Sequence, residues 1–445
     1  MSNSVKSNYE ESLSPQLHMA LADVLSDDTK PPTISVNDAI KSFSGGKTMI
    51  SVEEGVSESA MHGIVGVGRG WEPPRLITFC DEDARPGYNS MKAHEYQDSA
   101  AILEAKVNVL AALIHHARHC TAYTGAGIST ASGINDYASK AKQSIATGSG
   151  ALDRKKSKGS RLDTSPTYSH FVLASMHRAG LLSHWVQQNH DGLPQKAGYP
   201  QSELNEIHGS WFDPSNPVVP MSGSLREDLL ERLHHECNKT DLCLAIGTSL
   251  CGMNADSIVE VTAKNALFLR RRKVGLGSVI IGIQRTAMDN LATLRIFAKI
   301  DDVMALLAQK LSLDVPTLGY VPSIPRNCIV DGQHNIFRVP YLPNGAPSQQ
   351  RLRSQTEKPV ISWDLSVGAR VKLTAGPGKG FEGEIISTPD TEVSLEMNKS
   401  YSVRFPCTRE GENLGKGLKV YRFGIWWIEA ACNGSLTLLP LVNVK

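Results

Sequence analysis

Between residues 99 and 313, short apolar runs alternate with stretches of helical periodicity, and few folds accommodate that alternation. The strand-like runs are Thr121–Tyr123, His184–Gln188, Leu242–Ile246 and Ser278–Gly282. Leu103, Val107, Leu110, Ile114 and Ala117 recur at helical spacing, and similar patterns cover Ser169–Ala179, Leu225–Cys237 and Asp301–Leu313. Strands separated by helices form βαβ units, because parallel neighbours need a long crossover. The segment therefore predicts an α/β fold, a Rossmann-like doubly wound parallel sheet.

The flanks read differently. Residues 1–98 are rich in Ser, Asp, Gly and Pro without sustained periodicity, which predicts a weakly ordered N-terminal extension with a short helix near Gln16–Leu25. Pro322, Pro325, Pro340, Pro343 and Pro347 mark residues 319–360 as a Pro-rich linker. Beyond it, Val371–Thr374, Gly383–Ile386, Tyr401–Phe405, Ile425–Ile428 and Leu436–Leu439 predict five short strands of a small all-β barrel over 361–445. A barrel behind such a linker is expected to fold alone and to be dispensable for chemistry in the sheet domain (residues 99–318).

Charge and cysteine content exclude several classes. The 46 Lys and Arg nearly balance 45 Asp and Glu, so a dedicated polybasic nucleic-acid binder is excluded. No run of 18 apolar residues occurs and no membrane partner is expected. The N-terminus lacks a basic segment followed by an apolar one, so a secretory signal is not expected. Eight scattered cysteines without a CxxC pair predict reduced, intracellular thiols.

Four polar clusters punctuate the α/β segment. Tyr123–Tyr137 is a glycine-rich turn, in which Gly125 and Gly127 let backbone N–H groups approach a ligand and a following helix N-terminus favours a pyrophosphate, although a tight βα corner accounts for the glycines equally well. Gln188-Asn189-His190-Asp191-Gly192 follows a strand, where α/β sheets bind ligands, although an Asx-type turn accounts for it equally well. His208-Gly209 sits in a loop. Gly247-Thr248-Ser249 closes another strand with hydroxyls suited to phosphate or ribose.

In this order the four clusters resemble the sirtuins, NAD-dependent protein deacylases, over about residues 100–313. The matching stretches are Gly125–Ser129, Gln188–Gly192, His208-Gly209 and Gly247–Ser249. Val107–Tyr137 and Asp301–Leu307 are most similar to the nuclear branch, which implies a nuclear or cytoplasmic location. The resemblance implies NAD as cofactor and an acylated-lysine protein as substrate, the acyl group passing to ADP-ribose as nicotinamide leaves. It implies His208 as general base, a task an imidazole suits because its pKa lies near working pH. It implies Asn189 at the ribose and Asp191 at the nicotinamide amide, with Gln188 beside them. Gly125, Ala126, Gly127 and Ser129 would serve the phosphate side, Asp136 and Tyr137 would also bind the cofactor, and Gly247, Thr248 and Ser249 would bind the far end of the dinucleotide.

The chain also departs from the family pattern. The family's zinc ribbon needs paired cysteines, whereas the 32 residues from Gly209 to Thr240 hold only Cys237, so no metal is expected. The family's Pro and Arg after the glycine turn are Asn135 and Ala138, and its Asn after the late strand is Gly282. Gly252, Asn254 and Met221–Ser224 stand where the family builds its peptide cleft. Mono-ADP-ribosyl transfer, NAD hydrolysis and a catalytically degraded NAD-sensing module stay open as alternatives. Residues 368–385 resemble the KOW-type opening of an SH3-like barrel. Lys372, Lys379, Arg404 and Lys416 with Phe381, Trp426 and Trp427 would give it a basic-aromatic face for protein or nucleic acid.

Overall fold

A computed structural model describes residues 14–22, 57–85, 87, 91–134, 136, 139–140, 144–145, 161–266, 275–316, 318–330, 333–348, 361–389, 400–406 and 418–444. Its elements begin with α1 (Pro15–Ala22), α2 (Glu58–His62), β1 (Arg75–Thr78), β2 (Glu95–Gln97), α3 (Ala100–His116), β3 (Cys120–Thr124), α4 (Tyr168–Arg178), β4 (His184–Gln187), α5 (Leu193–Lys196) and β5 (Leu204–Glu206). Next come α6 (Glu227–Lys239), β6 (Leu242–Ile246), α7 (Ser257–Ala266), β7 (Gly277–Ile281), β8 (Leu294–Ile296) and α8 (Ile300–Lys310). The last are β9 (Ile329–Val330), β10 (Gln333–Val339), β11 (Ile361–Asp364), β12 (Arg370–Leu373), β13 (Glu382–Ser387), β14 (Ser400–Pro406), β15 (Leu418–Gly424), α9 (Trp426–Cys432) and β16 (Leu441–Asn443).

The chain divides into two compact units, and they cut it elsewhere than the composition does. The first holds 1–158, 167–187 and 230–315; the second holds 159–166, 188–229 and 316–445. In the first unit, parallel strands run in the order β4-β3-β6-β7-β8. Every residue of β3, β6 and β7 is buried, which is why they read as unbroken apolar runs. From β3 the chain steps one way to β4, and β6 then lies on the other side of β3. That reversal opens a crevice at the carboxyl ends of β3 and β6.

Several described parts of the N-terminal extension are packed, although Leu76, Ile77 and Phe79 are exposed. Leu17, Ala20 and Leu21 of α1 are buried, and Gln16 Nε2 donates to His116 O at 2.8 Å and to Asp241 Oδ2 at 2.9 Å. Ile64 and Val65 donate backbone hydrogen bonds to Ala292 O and Thr293 O at 2.9 and 3.1 Å. Lys106, on the inner face of α3, holds both oxygens of Asp98 at 2.8 Å with neither side chain exposed. Burial lowers the Lys106 amine to about 8 and raises the Asp98 carboxyl, so each ion needs the other.

In the second unit, β11-β10-β9 form one antiparallel sheet and β15-β14-β13-β12-β16 another. The described part of residues 319–360 is more than a linker, because Phe337 and Val339 of β10 and Tyr341 lie in the core with Trp363, Val371 and Phe423. The run Ile425–Ile428 is not a strand; β15 ends at Gly424 and α9 follows. Helical spacing lets both tryptophans turn inward, Trp426 against Phe212 at 5.1 Å and Trp427 stacked on Phe423 at 6.2 Å. Leu436–Leu439 is likewise no strand, the last being β16. Among the described residues the expected basic-aromatic face lacks its tryptophans, both of which are buried, and the cross-strand row Arg370–Glu384–Arg404 alternates in charge. Lys416 lies outside the described residues.

Candidate functional site

At the crevice of the first unit, β3 runs into Gly125 and then a 3-10 turn, Ala126–Ser132, in place of the expected α-helix. The two glycine amides are already used. Gly125 donates to Ile246 O at 3.1 Å and Gly127 to Gly247 O at 2.9 Å. These glycines therefore let two strand ends meet, and Gly247, at φ +61°, leaves no room: a Cβ there would sit 2.6 Å from Ile128 N. Thr167, the cap residue of α4, ties the helix to this turn by donating its hydroxyl to Ile128 O at 3.1 Å.

A cavity of about 300 Å³ opens beside the turn. Of the sequence-predicted residues, Gly127, Asp136, Gly247, Thr248 and Ser249 line it. Gly125 and Ser129 are buried beneath it, and Ala126 is half-buried in the same turn. Tyr137, Asn135 and Ala138 lie outside the described residues. Gly282, read from the sequence only as a departure, also lines it, and further lining was missed, including Ile283, Gln284 and Thr286 after β7, then Lys299, Asp301 and Asp302 at the start of α8. The available signal was an acidic pair opening a helix directly after a strand.

The other predicted residues, Gln188, Asn189, Asp191 and His208, belong to the second unit. There two loops are stitched together through His190, which the sequence reading passed over. His190 Nδ1 lies 2.9 Å from Gly209 O, and Trp211 N donates to His190 O at 2.9 Å. His208 is half-buried, and its carbonyl accepts from Val219 N at 2.9 Å. Gly209 adopts φ +91°, where a Cβ would meet Pro217 O at 2.4 Å, so only glycine fits after His208. Asp191 is buried, and its Oδ1 accepts from Leu193 N at 3.0 Å, an Asx turn opening α5. Lys196 of α5 donates to Leu162 O and Thr164 O at 2.7 and 3.0 Å, fastening 159–166 to this region.

Glu206 closes β5 two residues before His208 and is fully enclosed, with Gln195, Gln201, Ser210 and Asp213 around it. Burial raises its carboxyl from 4.5 to about 7, and Asp213 is raised by the same cause. An acid whose folded pKa exceeds its unfolded one stabilises fully below the unfolded value and loses that contribution as pH rises through the folded one. The second unit is therefore expected to lose stability between pH 4.5 and 7, by about 3 kcal/mol from Glu206. Thermal melts of Glu206→Gln should lose the Glu206 share of that slope while Asp213 keeps its own; a slope equal to wild type would contradict the assignment.

Among the described residues, no group of three or more His, Cys, Asp or Glu could hold a metal ion, and no helix is long and apolar enough to cross a membrane. No family model matches the chain. It is 30% identical over 270 residues to the NAD-dependent protein deacetylase sirtuin-7 of Rattus norvegicus, covering 51% of this chain and 64% of that protein. It is 27% identical over 259 residues to the NAD-dependent protein deacetylase SRT1 of Arabidopsis thaliana, covering 50% and 52%. The NAD-dependent protein deacetylase Sirt6 of Drosophila melanogaster is 25% identical over 267 residues, 50% of this chain and 81% of its own length. A solved Sir2 homologue–NAD complex aligns over 46% of this chain and 93% of its own at 20% identity and a TM-score of 0.37. The chain thus spans about half to two thirds of the length of the first two relatives.

Proposed function

We propose that this sirtuin-related chain is an NAD-dependent protein-lysine deacylase that passes the acyl group to ADP-ribose. The observation that carries the proposal is the crevice of the first unit, where the stretches resembling the family, Gly127 and Gly247–Ser249, line one cavity at a topological switch point. The lining suits a dinucleotide. Thr248 and Ser249 offer hydroxyls to phosphate oxygens, while Asp136 and Asp302 offer carboxylate oxygens to ribose hydroxyls. Bound NAD supplies a glycosidic bond whose cleavage releases nicotinamide. By the family resemblance, His208 would take the proton of a ribose hydroxyl in acyl transfer, Asn189 would hold the ribose and Asp191 the amide of nicotinamide.

The substrate is an acylated lysine of a protein, as the names of the relatives support. A nuclear location and an SH3-like closure of the C-terminal sheet belong to the same proposal, each resting on resemblance. The mixed charge along β12–β14 favours protein over nucleic acid as any contact of that sheet. Release of nicotinamide from NAD should require an acyl-lysine peptide. Release that proceeds equally well without peptide would favour NAD hydrolysis instead.

A further inference from the structure

We infer that Arg295 is the positioning residue that fixes one wall of the cavity, an inference resting on the NAD reading only for its effect on turnover. Gly282, Gln284 and Thr286 form that wall, in the segment between β7 and β8 whose outer side bonds β2 through Tyr96 N to Ile283 O at 2.7 Å. Arg295, on β8, reaches them from beneath with its side chain wholly buried. Its Nη1 donates to Gly282 O at 3.0 Å and its Nη2 to Gln284 O. Its Nε donates to Asp289 Oδ1 at 2.8 Å, and Asp289 in turn accepts from Thr286 N at 3.0 Å and Thr286 Oγ1 at 2.7 Å. One arginine–aspartate pair thus grips three wall residues through their backbone and one hydroxyl.

The geometry calls for arginine in particular. Nη1 also donates to Ile296 O at 2.6 Å, and the guanidinium carbon lies 3.6 Å from the Phe297 ring centroid. A planar fork with five N–H groups serves these acceptors at once, which a lysine ammonium does not. Without the cation, Asp289 would be a buried charge facing Arg285 at 3.8 Å and, farther off, Lys106.

The test uses Arg295→Lys and, should that variant not fold, Asp289→Asn. Hydrogen exchange of the NAD-free protein is expected to speed up at least tenfold at residues 282–289 while β3 and β6 keep wild-type protection. Steady-state kinetics should show KM for NAD raised roughly tenfold, with kcat at saturating NAD and KM for the acyl peptide within about threefold of wild type. Unchanged exchange at 282–289 would overturn the inference whether or not the protein uses NAD. Faster exchange with an unchanged KM for NAD would overturn it as a positioning role. Faster exchange in a protein whose wild-type form binds no NAD would uphold the wall and sink the NAD reading.

Discussion

Removing residues 319–445 is expected to abolish turnover, even on a short acyl-peptide. The loops carrying Asn189, Asp191 and His208 lie in the same compact unit as the C-terminal sheets, and Phe212 is buried in their shared core. Gly424 N donates to Phe212 O at 3.2 Å, Tyr320 N donates to Lys196 O at 3.1 Å, and Trp426 packs on Phe212. Losing the Trp426 side chain alone should cost about 3–5 kcal/mol, a large share of a typical domain's 5–15 kcal/mol. A chain ending at 318 forfeits that core altogether, so residues 188–229 should lose hydrogen-exchange protection and catalysis should fall below detection. Trp426→Ala should show the same loss in milder form. Wild-type turnover by the shortened chain would mean that the His208 loop folds without the sheets, returning them to the status of a separable module.

His208→Ala is expected to lower acyl transfer by 10²-fold or more while NAD affinity changes little. Proton removal by a placed base contributes on that order, and alanine removes the only imidazole of the His-Gly motif without touching its backbone. The loop should survive the change, because Val219 N bonds the carbonyl of residue 208 and Gly209 keeps its turn. Calorimetric titration with NAD beside a kinetic assay separates the two effects. Retained turnover would remove His208 from the mechanism, and a parallel loss of NAD binding would make it a structural or binding residue.

The sheet of the first unit was legible because burial on both faces leaves an unmistakable apolar run, as in Leu242–Ile246. Its supports were not. Lys106 reads as a solvated helix position, and only Asp98 at 2.8 Å explains a cation on the inner face. Residues 57–98 join the fold partly through backbone hydrogen bonds, such as Ile64 N to Ala292 O, which leave no side-chain pattern. Ile425–Ile428 is four apolar residues with no period to separate strand from helix, and the structure made it a helix. The partnership of Phe212 with Trp426 joins segments far apart in the chain, a contact that local pattern does not encode. The glycine turn was found for its flexibility, yet its amides bond to neighbouring strand ends.

The central claim, acyl transfer to ADP-ribose, is tested most directly by identifying the products. The protein would be incubated with NAD and an acyl-lysine peptide, and nicotinamide, deacylated peptide and acyl-ADP-ribose quantified together by mass spectrometry. The account predicts all three in equal amounts, with acyl-ADP-ribose formation lowered about 10²-fold or more by His208→Ala. Nicotinamide accompanied by free ADP-ribose, the peptide still acylated, would contradict it.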